Sequence, residues 1–519
     1  MCHSRVRTMM GAVMPSQRAW SRTETTLLVA LLALGVFLRA KGLASHPLWV
    51  DEYGTWWTVA GEQWSDVWWR VLAIQGQSPF YYALVRASVE GLGPGILALR
   101  LPSLIFGIGL LGVCLPLALA AFGERRIALS AVAAFAVNER LVFYSQEARP
   151  YALALFCLAL SFLAYLALLE RPRSRRLRAG YLIATAATVY AHYLFGLAIL
   201  VQALHWLLRR PGRAELLAWL PTIALLAALL APGTLQLADL ADRREILDWV
   251  ERADSGEVVR LWLLYFDPPV LLATAGATLL AIAVGRRLSL PGAASRAALV
   301  GLWLFLPFLV IALVPPLFDV SLLHRRYLLV ALPAAALSYG VLIGLPARGT
   351  RLAWLPLCVF LLVTAFVRMP QVERTGLFSE RFGGENWEAA VRTLRERHRP
   401  GDPVFYATHL VELDAVVLGH ATEEAQSFST WPVAAHLLPE QRDALRALPY
   451  RWTSETAPML RARLDEAAAA TRSWVIGTSA VVEPFIREAK QRPDLVVAGR
   501  GRYGRIFVFQ LRATTPQSP

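Results

Sequence analysis

His46-Pro47-Leu48-Trp49-Val50-Asp51-Glu52-Tyr53-Gly54-Thr55-Trp56-Trp57 sets two adjacent carboxylates among aromatic residues, directly after the first long apolar run of the chain. An acid pair in that setting is either ordinary loop charge or the working end of chemistry at a membrane face. The choice depends on what surrounds it. Of the 519 residues, 56% are hydrophobic and only 17% are charged, and mean hydropathy is +0.45. A soluble domain of this size is not so apolar. Repeated apolar runs of roughly 20 residues read as transmembrane helices.

The apolar pattern predicts eleven spans, over 25–43, 97–122, 127–143, 151–169, 180–194, 195–208, 215–237, 269–284, 297–318, 327–345 and 352–368. Residues 79–92 are apolar but short, and are expected to form a helix lying at the interface. Net charge is +14, and the basic residues recur at the ends of apolar runs rather than in one patch, which argues for membrane topology over nucleic acid. With the N-terminus inside, the inner loops hold Arg125-Arg126, Arg171 to Arg178, Arg209 to Arg213, Arg286-Arg287, and Arg348 with Arg351, as the positive-inside bias requires. The segment after Arg5, Arg7, Arg18 and Arg22 reads as an uncleaved first helix, because no small-x-small site follows it. An odd number of spans places the chain after about residue 368 outside. Cys114, Cys157 and Cys358 lie in apolar runs, so neither a disulfide framework nor a cysteine zinc site is expected.

The outer loops then carry the interest. Loop 46–96 holds Asp51-Glu52 and Trp49, Trp56, Trp57, Trp64, Trp68 and Trp69, a density suited to the headgroup layer. Arg149, Arg325 and Arg326 lie in short outer loops against the charge bias, and Arg39 and Lys41 close the first helix. Charge near hydrocarbon is costly and marks function, and the planar fork of arginine suits phosphate. For Arg39 and Lys41, snorkelling to lipid headgroups fits equally well. A carboxylate facing guanidinium groups suits one reaction: the acid takes a proton from an acceptor while arginines hold a leaving phosphate. His46, His192 and His324, with Asp51 or Glu52, could hold a divalent metal ion; a structural role for these histidines is the alternative.

From about Gly383 the pattern becomes that of a small α/β domain. Trp387, Ala390, Val391 and Leu394 share a helical face, Pro400-Gly401-Asp402 marks a turn, and Pro403–Thr408, Ser473–Gly477, Leu495–Ala498 and Arg505–Arg512 read as strands. Helices are expected over Met459–Arg472 and Val482–Arg492. Gly499-Arg-Gly501-Arg-Tyr-Gly504 matches the dinucleotide fingerprint, but a strand pattern follows it where a helix is required, so it reads as a hairpin turn.

The order of motifs resembles a family. Trp-Val-Asp-Glu-Tyr53 is followed by Ser78-Pro-Phe-Tyr-Tyr82, Leu99-Arg-Leu-Pro-Ser103, Tyr144-Ser-Gln-Glu-Ala-Arg-Pro-Tyr151, His192-Tyr193 and Arg326-Tyr-Leu-Leu-Val-Ala-Leu-Pro333. This is similar to the bacterial GT-C glycosyltransferases of the protein mannosyltransferase-like group, which includes the aminoarabinose transferases. The resemblance covers roughly 25–345, and Asn386-Trp387 with Pro400-Gly401-Asp402 is similar to the outer domain of many members. It implies a cytoplasmic segment 1–24, a GT-C-like catalytic membrane domain over 25–368 with first outer loop 46–96, and an extracytoplasmic α/β domain over 383–519, in a bacterial plasma membrane. It implies inverting transfer of a sugar from a polyprenyl-phosphate donor to an outer acceptor: lipid, glycan or protein. By the same resemblance Asp51 is the base and Glu52 its companion, Arg149, Arg325 and Arg326 face donor phosphate, and Tyr53, Tyr81, Glu147, His192, Tyr193 and Tyr327 fall in motifs expected to bind substrate. Metal ligands would come from Asp51, Glu52, His192 and His324. Gln77-Ser78-Pro79-Phe80 departs from the family, since the aminoarabinose branch has a metal ligand and a phosphate contact there. A flippase for lipid-linked sugar is a rival reading, but the spans are largely free of acids. A membrane scaffold with an outer binding domain is the other.

Overall fold

The computed structural model describes residues 20–242, 250, 255–263, 265–285, 294–313, 317, 320–346, 351–375 and 384–514. The basic stretches 286–287 and 348, expected at the inner face, lie outside them. The chain divides into two compact units, one formed by 1–43 with 100–370, the other by 44–99 with 371–519.

The first unit is helical. Seven of the chain's described helices are long and apolar enough to cross a membrane: Arg22–Ala40, Ile96–Phe122, Tyr151–Glu170, Arg213–Leu240, Pro268–Gly285, Ser295–Leu313 and Tyr327–Gly344. Tyr193–Leu208 and Leu355–Val367 are shorter apolar helices. One expected span is differently built. The 127–143 run breaks at Asn138, whose side chain accepts from the Arg140 and Leu141 amides at 3.1 and 3.0 Å and so caps a second helix, Glu139–Tyr144. The helix before it, Arg125–Val137, is alanine-rich and buried along almost its whole length. Small residues let its neighbours approach closely. A Cβ on Gly340 would meet the backbone of Ala131 at 2.9 Å, and one on Gly35 would meet the Cα of Ala136 at 3.2 Å. The 180–208 region divides at His192, between Arg175–Ala191 and the turn Tyr193–Gly196, close to the expected boundary between 180–194 and 195–208.

At one end of this unit Arg125 faces Glu24 at 3.9 Å and Arg126 donates to the carbonyl of Pro346. At the other end Gln146 donates from Nε2 to the carbonyls of Leu38, Arg39 and Lys41, at 3.2, 2.7 and 2.8 Å. Those are orphan acceptors at the C-terminus of the first helix, so Gln146 is its cap. Gly107 lies against the same segment, where a Cβ would come 2.1 Å from the Ser145 hydroxyl.

The second unit joins the loop after the first helix to the C-terminal α/β domain. Its sheet contains β1 (Val404–Ala407), β2 (Leu445–Ala447), β3 (Arg472–Thr478), β4 (Leu495–Tyr503) and β5 (Ile506–Ala513), in the order β2-β1-β3-β5-β4. β1 runs parallel to β2 and β3, while β5 is antiparallel to β3 and β4. Trp387, Ala390, Val391 and Leu394 are buried together on one face of helix Trp387–Arg397, as their spacing predicts. The glycine-rich motif is the β4–β5 hairpin: Gly504 turns it at φ +67°, where a Cβ would overlap the carbonyl oxygen of Gly384. β2 and helices Glu412–Leu418 and Glu423–Ala434 have no counterpart in the sequence reading.

Candidate active site

Asp51 and Glu52 occupy the first turn of helix Val50–Val59. Acids there are favoured by the partial positive charge of a helix N-terminus. Glu52 is fully buried and Asp51 half-buried. The helix packs on helix Glu423–Ala434 of the α/β domain, where Trp57 meets Phe428 at 5.4 Å and donates from Nε1 to the Ser427 hydroxyl at 3.0 Å. Trp56 meets Trp431 edge-on at 5.8 Å, and the Tyr53 hydroxyl sits 2.7 Å from His436 Nε2. The tryptophans of this loop therefore divide: Trp57 is 1% exposed, but Trp64, Trp68 and Trp69 are 48, 54 and 70% exposed. Tyr81 is buried on helix Phe80–Leu92, and Gln75 ties that helix to the first by accepting from Tyr82 at 3.1 Å and donating to the Gly54 carbonyl at 3.2 Å.

The α/β domain surrounds Asp51 with titratable groups that sequence reasoning missed: Glu385, His409 and Glu412 all lie within its electrostatic reach. Burial pushes the Glu385 carboxyl up to about 7, with Asp51 adding to the rise. Burial also raises Glu412 and lowers His409. These residues lie 330 or more positions from Asp51 in a domain with its own pattern, so no local signal connects them to it.

The other candidates belong to the first unit. Glu147 and Arg149 are buried, and the Arg149 carbonyl accepts from the Ser103 hydroxyl at 3.1 Å. His192 is buried between the rings of Tyr151, at 5.4 Å, and Tyr327, at 6.3 Å, with Arg149 in electrostatic reach. Tyr327 lies 6.0 Å from the His324 ring. Of the arginine pair, Arg326 is half-buried, within reach of Tyr144, whereas Arg325 is exposed and contributes its carbonyl to the Tyr265 hydroxyl at 3.3 Å. Tyr193 instead bonds Gln236. Arg39 is fully buried and donates to the carbonyls of Gly35, Phe135 and Ala136 at 2.9 to 3.2 Å. Among the described residues no three His, Cys, Asp or Glu side chains converge in a metal-binding group.

The helical bundle with a small α/β domain shares its fold with solved structures. The chain is similar over nearly its whole length to ArnT from Cupriavidus metallidurans. Against the apo structure the TM-score is 0.53 at 14% identity, covering 94% of this chain and 98% of that one. Against ArnT bound to undecaprenyl phosphate it is 0.53 at 13% identity, covering 96% and 100%. At such identities the likeness is one of fold. No protein-family model matches the chain. No curated protein matches it either.

Proposed function

We propose that the protein is a membrane glycosyltransferase that moves a sugar from a polyprenyl-phosphate donor to an extracytoplasmic acceptor. The observation that supports this most is the whole-length fold likeness to ArnT, one of whose structures holds undecaprenyl phosphate. In this reading Asp51 removes the proton from the acceptor hydroxyl or amine. The acceptor atom bonds to the anomeric carbon, the bond from that carbon to phosphate oxygen breaks, and the electron pair leaves with the polyprenyl phosphate. One direct displacement inverts the anomeric centre. Arg149 and Arg326 carry the phosphate charge as it develops, with Arg325 nearer solvent. Glu52 supports the first turn, and Tyr53, Tyr81, Glu147, His192, Tyr193 and Tyr327 shape the substrate surroundings.

The proposed topology keeps residues 1–24 in the cytoplasm and the 383–519 domain outside. The departure at Gln77-Ser78-Pro79-Phe80 sets the chain apart from the aminoarabinose branch, so the sugar need not be aminoarabinose.

The test is a transfer assay with the protein in lipid nanodiscs, undecaprenyl-phosphate-linked sugars as donors and envelope lipid extract as acceptor. Release of undecaprenyl phosphate with labelled sugar in the product supports the proposal. Movement of intact donor across the bilayer without release favours a flippase. The same assay with a chelator decides whether Asp51, Glu52, His192 or His324 needs a divalent ion. A cytoplasmic signal from a C-terminal reporter fusion overturns the topology.

A further inference from the structure

Helix Val50–Val59 has Trp49 at its N-cap position; its carbonyl takes the Glu52 and Tyr53 amides, but its side chain carries no acceptor and forms no cap. The acceptor comes from elsewhere in the chain. Glu385, 335 residues away, takes the Val50 amide on Oε2 at 2.9 Å. The same oxygen takes the Trp387 indole N–H at 2.9 Å. Glu385 is 6% exposed and its backbone pairs with Gly504 at the β4–β5 turn. Gly504 can make that approach only because it lacks a side chain. The opposite end of the helix is held by bases. Arg70 donates to the Trp57 carbonyl at 2.5 Å and lies over the Trp57 ring at 4.7 Å, while Arg86 donates to the Val59 carbonyl at 2.6 Å. Acid at the N-terminus and bases at the C-terminus complement the helix dipole at both ends.

We propose that Glu385 is a positioning residue: from the α/β domain it supplies in trans the N-cap of the helix that carries Asp51-Glu52, and so fixes the first turn from which the base acts. The inference rests on the assignment of Asp51 as base. It also gives the α/β domain a task in turnover. A first turn without its cap frays, and Asp51 and Glu52 fray with it. Loss of the cap is expected to lower kcat, while the arginines that meet the donor are untouched.

The experiment compares wild type, Glu385→Leu and Glu385→Gln as full-length proteins in nanodiscs. Three readouts are taken: hydrogen exchange of the peptide over residues 48–57, the Kd for undecaprenyl phosphate, and kcat with an undecaprenyl-phosphate-linked sugar that the wild type turns over. In Glu385→Leu, exchange of the first-turn amides and kcat are each expected to change about tenfold, the scale of a lost helix cap, with Kd within about twofold of wild type. Glu385→Gln keeps an acceptor oxygen and should recover most of both. Unchanged exchange in a folded Glu385→Leu protein overturns the proposal whatever the turnover. Faster exchange with unchanged kcat, or a loss carried by Kd, also overturns it. If the wild type transfers no sugar, the assignment of function fails, and the exchange arm alone decides the cap.

Discussion

The Tyr53 hydroxyl and His436 Nε2 lie 2.7 Å apart, joining the residue that follows Glu52 to the end of a helix nearly four hundred residues on. Burial holds the Tyr53 phenol protonated, well above its ordinary value, and pushes His436 down, so the pair meets as neutral hydroxyl and neutral imidazole. Tyr53→Phe leaves a half-buried imidazole nitrogen without this partner, a loss of about 1 kcal/mol. Thermal denaturation in detergent should show a lower midpoint for Tyr53→Phe. His436→Ala added to it should cost little more, since the two side chains share one interaction.

The Glu385 carboxyl provides a pH test. Its folded value of about 7 lies above the ordinary 4.5. The stability it contributes is therefore fully present below pH 4.5 and is lost as pH rises through 7. Glu385→Gln cannot ionise. Its stability should gain on wild type by about 1.4 kcal/mol per pH unit across that window, then level off. Taking the difference cancels His409 and His436, whose lowered values act in the opposite direction, with stability lost as pH falls below 6.5. Melting wild type and variant between pH 4 and 8 checks the slope.

Arg326 and Arg325 should separate in kinetics. Arg326 is half-buried beside Tyr144, while Arg325 is exposed. Removing a charge-assisted hydrogen bond to phosphate is expected to raise donor KM about tenfold in Arg326→Gln. Arg325→Gln should stay within about twofold, as an exposed charge contributes little. Steady-state kinetics over a donor titration distinguishes them.

Gly504→Ala places a Cβ against the Gly384 carbonyl at a backbone angle, φ +67°, that alanine disfavours. The β4–β5 turn and the Glu385 segment paired with it should both loosen. The variant is expected to lower the melting midpoint and to speed exchange in the 48–57 peptide. Gly93→Ala, at φ +85° but with nothing within 4 Å of its Cβ, serves as the control that keeps the helix cap in place.

The bundle was legible because lipid demands long apolar runs, and those persist in sequence whatever they pack against. Four of the five sheet strands and the Trp387 face were legible for a similar reason, since period-2 and 3.6-residue patterns are local, whereas the three-residue β2 is too short to show a period. Asn138 broke the 127–143 run through capping, which hydropathy does not register, whereas the turn at His192 falls close to the boundary read between 180–194 and 195–208. Arg39 was misleading: its position at a helix end suggested the interface, but a carbonyl of its own helix and two of helix Arg125–Val137 hold it. The surroundings of Asp51 were the least legible part. The acid pair stood out by its aromatic neighbours, whereas Glu385, Ser427, Phe428, Trp431 and His436 become its neighbours only when the α/β domain folds against helix Val50–Val59.

The central claim is that Asp51 takes the acceptor proton, and the most direct measurement is single-turnover sugar transfer by Asp51→Asn. Asparagine keeps the shape and the helix start but is not basic. The rate should fall by at least about a hundredfold, the usual scale for loss of a general base, with binding of undecaprenyl phosphate and the melting midpoint unchanged. Near wild-type transfer by a folded Asp51→Asn protein would contradict the account.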